Sequence, residues 1–367
     1  MKILVFEYIT GGGFNKQPLP DSLAGEGSLM LNALLDNLIR LNSLEITVML
    51  DWRLEALTGI NSVIIRPEHD VIEEFTRLVK QSDLVWPIAP EFDSILQKLC
   101  QKVESLGKIL LTSTSTAVAI AGNKFKTYEL LNRHRIAAVP TRMLDDAYSP
   151  GEWMVKPVDG VGCADSYVIT NRQDFERVSV RKSSYIIQPH LQGTKTSLSC
   201  LFKQGSAWLV CANLQRFEFI NQQYHLSEIV VNHHPDPGLY RPLIAEIARA
   251  LPELWGYVGI DLIESDHYGI FHSPVDYAGG TAPRMGEVEL RPELQSRTAT
   301  VGDSGAITET WVLEINPRLT TSFVGIYEAL GINIAEVVLQ LLHGEPILSP
   351  TCNKSITVQT KQEPHAS

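Results

Sequence analysis

In the first third of the chain, short apolar runs alternate with helical patterns: KILVFEYI, EGSLMLNALLDNLIRL, EITVML, SVIIRP, VIEEFTRLVKQS, DLVWPIAP, FDSILQKLCQKVESLG and KILLTS. Strands separated by amphipathic helices are joined by crossovers that cover both faces of a parallel sheet. The alternation predicts an open α/β domain over residues 1–112. Ligands of such sheets collect at the carboxyl ends of strands, where Gly11, Gly12 and Gly13 of EYITGGGF and the segment APEFDS fall. Three successive glycines allow positive φ and a close backbone approach to a ligand. Their spacing matches neither G-x-G-x-x-G nor G-x-x-x-x-G-K-[ST], so the loop is expected to face a ligand other than a nucleotide phosphate.

Beyond Thr112 the pattern changes to antiparallel strands with turns. Residues 113–191 read as two helices followed by strands, among them EWMVKPVDGVGCADSYVI as a hairpin with a glycine-bearing loop. Residues 192–347 read as a run of strands, a helix (YRPLIAEIARALPELW), the strand GYVGIDLIES, the strand TWVLEINPRLTTS and closing helices. Residues 266–310 are rich in Gly, Pro, Ser and Thr and weakly periodic, which reads as a long mobile insertion. Residues 348–367 read as a polar tail that frays.

Bulk properties narrow the partners. A chain of 367 residues that is 44% hydrophobic and 20% charged is globular. A net charge of −11 argues against nucleic acid or an anionic membrane and favours small molecules. Five cysteines without a C-x-x-C pair signal neither a disulfide framework nor zinc. No signal peptide and no spanning apolar run is read, so a cytoplasmic protein is expected, with a homo-oligomer left open.

Four islands carry chemistry. Lys124 opens an amphipathic helix in AGNKFKTYELL, where the ordinary role of a lysine is a solvated charge. Lys156 ends the strand MVKP before a loop containing Gly160, Val161, Gly162 and Cys163. A lysine beside glycine-freed amides can hold polyphosphate oxygens, although an ordinary hairpin has the same pattern. In YIIQPHLQG, Gln188, Pro189, His190 and Leu191 leave a buried strand for a turn. Finally, Asp261 in GIDLI precedes Glu314 and Asn316 in VLEINPR. Residues i and i+2 of a strand share a face, so Glu314 and Asn316 project together while Leu313 and Ile315 are expected in the core. Two carboxylates and an amide oxygen suit magnesium bridging phosphates, and Arg318 can serve a transferred phosphoryl group or a salt bridge to Glu314. His190, His233 and His234 read as loop residues rather than acid–base groups.

In this order, the elements resemble the ATP-grasp superfamily over residues 121–343. The resemblance implies an α/β fold with α+β character in the ligase part: a preceding parallel-sheet domain, a small lid subdomain and a C-terminal antiparallel subdomain. It implies ATP and magnesium, with manganese as the substitute metal. Lys124 and Lys156 would contact ATP phosphates beneath the loop Gly160–Cys163, and Gln188–Leu191 would flank adenine. Asp261, Glu314 and Asn316 would hold two magnesium ions, with Arg318 near the γ-phosphate and Lys156 and Arg318 catalytic. Lys195 in GTKTS stands beside the nucleotide where many members place a ribose-binding glutamate. EYITGGGF, LPDSLAGEGSLML and KPVDGVGC are similar to the tyramine–glutamate ligases of one-carbon cofactor biosynthesis. That similarity implies an acyl-phosphate reaction joining a carboxylate to an amine, with Gly11–Gly13 and Arg318 on the anion and Tyr8 or Phe14 lining an amine slot. The alternatives are a ligase for another pair, such as D-alanine–D-alanine or lysine-ligating, and a nucleotide-binding regulatory protein without turnover.

Overall fold

β1 (Lys2–Glu7), β2 (Glu45–Asp51), β3 (Asn61–Ile65), β4 (Leu84–Ile88) and β5 (Ile109–Leu110) form one parallel sheet in the order β3-β2-β1-β4-β5. The computed structural model from which this is read describes residues 1–160, 165–181, 184–234, 236–265, 299–301 and 307–360. Alternate side chains of β1 go to opposite faces. Ile3 and Val5 meet Leu31, Leu34 and Leu38 of α1 (Asp21–Ile39). Leu4 and Phe6 meet Phe75 and Leu99 of α2 (Val71–Gln81) and α3 (Ile95–Ser105). Strand order reverses at β1, so a crevice opens beyond the carboxyl ends of β1 and β4.

α4 (Ser115–Ala121) and α5 (Lys124–Arg133) lead into the rest of the chain. Asn123 caps α5 by accepting the Lys126 amide hydrogen at 2.9 Å, which fixes Lys124 as its first residue. A small antiparallel sheet follows: β6 (Arg142–Met143), β7 (Trp153–Pro157), β8 (Tyr167–Ile169), α6 (Arg172–Ser179) and β9 (Tyr185–Pro189), ordered β6-β9-β7-β8.

The large antiparallel sheet comprises β10 (Thr194–Lys203), β11 (Ser206–Ile220), β12 (Gln223–Val231), β13 (Gly256–Ser265), β14 (Ala299–Val301), β15 (Ile307–Asn316) and β16 (Ile356–Gln359). Their order is β14-β15-β13-β10-β11-β12-β16 among the described residues. α7 (Arg241–Ala250) covers one face together with α4 and α5, burying Leu198, Cys200 and Phe202. On the other face, Leu201, Ile229 and Tyr257 share a core with α1, α8 (Ile326–Leu330) and α9 (Ile334–Gln340). The N-terminal sheet and the large sheet are therefore joined through α1.

Two expectations from sequence change here. Most of the 266–310 segment lies outside the described residues, but β15 begins at Ile307, earlier than Thr310, because its ladder with β13 continues to Ser265 opposite Glu309. The tail is not frayed over 356–359. Ile356 and Val358 alternate with exposed Thr357 and Gln359, and the strand pairs with β12 in the register Ile229 to Val358. No single helix among the described residues is long and apolar enough to cross a membrane.

Candidate active site

A cleft with an empty volume of about 1350 Å³, open to solvent, lies between the small sheet, the large sheet and the N-terminal end of α1. Its walls carry both apolar side chains and a convergent set of charged and amide groups, the make-up of a small-molecule site. Met154, Lys156 and Gly160 line it from β7 and its loop, and Gln188, Pro189, His190 and Leu191 from the end of β9. The large sheet contributes Lys195, Asp261, Glu314 and Asn316, with Arg318 just beyond β15.

Asp261 and Glu314 are cross-strand partners, and Gly259 stands opposite Asn316. The register shifts after Asp261, leaving Leu313 as the extra residue of a bulge. Leu313 packs against the apolar cluster of Ile263 and Trp311, as expected, but also lines the cleft, whereas Ile315 is wholly in the core. Asp261 accepts hydrogen bonds from Gln215 at 2.9 Å and Asn316 at 2.8 Å. Burial and the Glu314 charge push the Asp261 carboxyl up to about 7. Burial acts on Glu314 in the same sense, but Lys124 and Lys156 outweigh it and hold that carboxyl down at about 2. Like charges on facing strand positions repel, so Asp261, whose carboxyl is raised, takes up a proton before Glu314 does as pH falls. Two carboxylates and an amide of this geometry form a hard oxygen donor set, which fits magnesium.

Lys124 is buried and reaches this pair from the first turn of α5. Its Nζ lies 3.0 Å from Glu314 Oε2 and donates to the Gly160 carbonyl at 2.6 Å. Glu314 thus pairs with Lys124, not with Arg318. Arg318 instead crosses to the N-terminal sheet, where Nε and one terminal nitrogen each donate to Glu91 at 2.9 Å. A third donor reaches the Leu319 carbonyl at 3.0 Å. Guanidinium has five N–H donors, so two remain for a ligand. Glu91 follows β4 at the crevice where strand order reverses.

At the other end, His190 is held by Glu152 at 3.1 Å and the Tyr224 hydroxyl at 2.9 Å, and its amide donates to the Glu152 carbonyl. Gln188 donates to Thr141 at 2.6 Å, so its side chain serves the fold. The Lys195 ammonium stands 4.2 Å from the Tyr224 ring centre. Val161, Gly162 and Cys163 lie outside the described residues.

The glycine loop is not part of this cleft. Ile9–Gly13 form one π-type turn, and Gly12 has φ of 98°. A Cβ on Gly11, Gly12 or Gly13 would fall 2.6, 2.5 or 2.3 Å from Phe6, Ile65 or Tyr8. The three glycines admit neighbouring side chains of their own domain. Tyr8 and Phe14 pack edge to face, with ring centres 6.1 Å apart, and neither lines the cleft.

Sequence reasoning missed Glu26 and Met30 of α1, which do line it, and Gln215 and Glu91, which hold Asp261 and Arg318. The available signal was an acid between two glycines in AGEGSLM, within the apolar periodicity of α1. Glu91 lies in APEFDS, which the sequence places at the carboxyl ends of the strands, but its pairing with Arg318, like that of Gln215 with Asp261, left no signal because only tertiary packing brings the partners together.

The sequence matches a pre-ATP-grasp domain model over residues 44–118 and an ATP-grasp domain model over residues 121–272. The tyramine–L-glutamate ligase of Methanocaldococcus fervens is 21% identical over 360 residues, covering 97% of this chain and 99% of that protein. An ATP-grasp superfamily protein from Archaeoglobus fulgidus has a similar structure, with a TM-score of 0.66 at 21% identity over 100% of this chain and 96% of that one. The L-amino acid ligase from Bacillus licheniformis gives 0.60 at 14% identity, over 93% and 73%. The two domain models occupy most of the chain in the order in which its sheets occur, and the carboxylates, amide and lysines converge on one cleft: the chain belongs to the ATP-grasp superfamily.

Proposed function

We propose that this protein joins the carboxylate of glutamate to the amine of tyramine at the expense of ATP, in the synthesis of a one-carbon cofactor. The chain is an ADP-forming carbon–nitrogen ligase, and the observation that carries this reading is the Asp261–Glu314 pair beside Asn316, Lys124 and Lys156 in one cleft. The substrate pair is taken from the full-length likeness to the M. fervens enzyme.

In the first half-reaction a carboxylate oxygen attacks the γ-phosphorus of ATP, forming an acyl phosphate and releasing ADP. In the second, the amine attacks the acyl carbon and phosphate leaves. Both first-step reactants are anions, so the main task is to neutralise and align them. Asp261, Glu314 and Asn316 would hold magnesium, which would supply charge neutralisation on the phosphates. Lys156 faces the same space as a point charge, and Lys124 adds a second positive charge where it meets Glu314 and the Gly160 carbonyl. Arg318, fixed by Glu91, directs its remaining donors at an anion.

The test is incubation with ATP, magnesium, glutamate and a panel of amines including tyramine, lysine and D-alanine, followed by mass spectrometry and phosphate release. A glutamyl-tyramine mass is expected, and the Asp261→Asn variant is expected to lose on the order of a hundredfold in turnover. A different adduct overturns the substrate pair; absence of ATP turnover with every amine overturns the ligase reading.

A further inference from the structure

The end of the cleft against the N-terminal sheet holds more carboxylate than its cation neutralises. Glu7, Glu26 and Glu91 all lie near Arg318. Glu91 takes Arg318 in two hydrogen bonds. Glu7 is occupied as well, accepting the Thr10 amide at 2.6 Å and the Thr10 hydroxyl at 2.7 Å. Glu26 lines the cleft, and among the described residues it accepts one long hydrogen bond, from Thr321 at 3.3 Å, and has no ion pair. A desolvated carboxylate in that state is costly unless a cation joins it.

Its position is built. A Cβ on Gly27 would fall 2.6 Å from Glu7 Oε2, so the glycine lets α1 lie directly on the end of β1. That contact sets the turn of helix that carries Glu26. Met30, one turn further, lines the same cleft and shares an apolar cluster with Ile229 and Leu226. Glu26 thus stands between the Arg318 end of the cleft and an apolar wall.

We infer that Glu26 is the seat of a substrate's primary ammonium group, which pairs with its carboxylate while the attached carbon chain lies along Met30, Leu226 and Ile229. The inference rests on the ligase reading and adds the residue that selects for the ammonium. Burial already raises the Glu26 carboxyl despite Arg318, which agrees with an anion short of a partner. In a ligase for an amino acid and an amine, the ammonium can belong to either substrate, and the test tells them apart.

Steady-state kinetics of wild type, Glu26→Gln and Glu26→Asp are measured with tyramine as acceptor, and again with hydroxylamine, which is uncharged near neutral pH and traps the acyl phosphate as a hydroxamate. Glu26→Gln is expected to raise KM for one substrate at least tenfold with a smaller change in kcat, and Glu26→Asp to recover part of the loss. A rise for tyramine alone assigns the ammonium to the amine. A rise for glutamate in both assays assigns it to the acid. KM values within twofold of wild type for both substrates, in a Glu26→Gln protein whose thermal midpoint still rises with ATP and magnesium, overturn the inference. Absence of hydroxamate and of amide from the wild type instead overturns the ligase reading.

Discussion

Among the single residues, Gly12 shows how a sequence signal can be real and its cause different. Three glycines after a buried strand do mark a close approach, and the atoms approached are Phe6, Ile65 and Tyr8. Gly12→Val forces a branched side chain to a φ of 98° and into Ile65. Left-handed backbone costs about 1–2 kcal/mol and overpacking about 1–3 kcal/mol, so a loss of about 2–5 kcal/mol is expected by chemical denaturation. Substrate KM values should stay unchanged; a raised KM at unchanged stability would return the loop to the substrate. The opposite holds for Asp261, Glu314 and Asn316, whose chemistry is legible because strand periodicity puts i and i+2 on one face. Leu313 keeps its apolar contacts but also faces the cleft, because the bulge breaks the period at that position.

The secondary elements differ in how plainly they read. β1, β4 and α1 are legible from long apolar patterns, whereas β16 is a four-residue alternation in a polar setting near the end of the chain. Its pairing closes the β12 edge, and Val358 joins the core beneath α1. Deleting residues 351–367 is expected to cost about 2 kcal/mol or more from Val358 burial alone, and to leave the outer edge of β12 unpaired. Denaturation midpoints and light scattering would read both effects, since an open edge promotes association. Unchanged stability would mean that the tail strand is not docked in solution. The same edge carries Tyr224, Leu226 and Ile229 into the cleft, so looser substrate binding is expected alongside.

For the molecule as a whole, the N-terminal sheet and the large sheet meet through the core beneath α1 and through Arg318 on Glu91, residues far apart in sequence. Both side chains are largely buried, with 12% and 6% of their areas exposed. Removing one partner of a buried pair strands the other charge, so Glu91→Ala should cost about 3 kcal/mol in a denaturant titration. A change below about 1 kcal/mol would show that the pair does not hold the two sheets together. By itself the sequence determined the parallel first sheet, the antiparallel texture after it and the lysine, glycine-loop, carboxylate and amide elements, because periodicity and residue chemistry are local properties. Only the tertiary structure decided that Lys124 meets Glu314 and Arg318 meets Glu91. It also decided that Gly11–Gly13 lie against Phe6, Ile65 and Tyr8 and that Glu26 enters the cleft. Those outcomes depend on which surfaces the sheets and α1 bury against one another, and such contacts join residues whose separation along the chain carries no pattern.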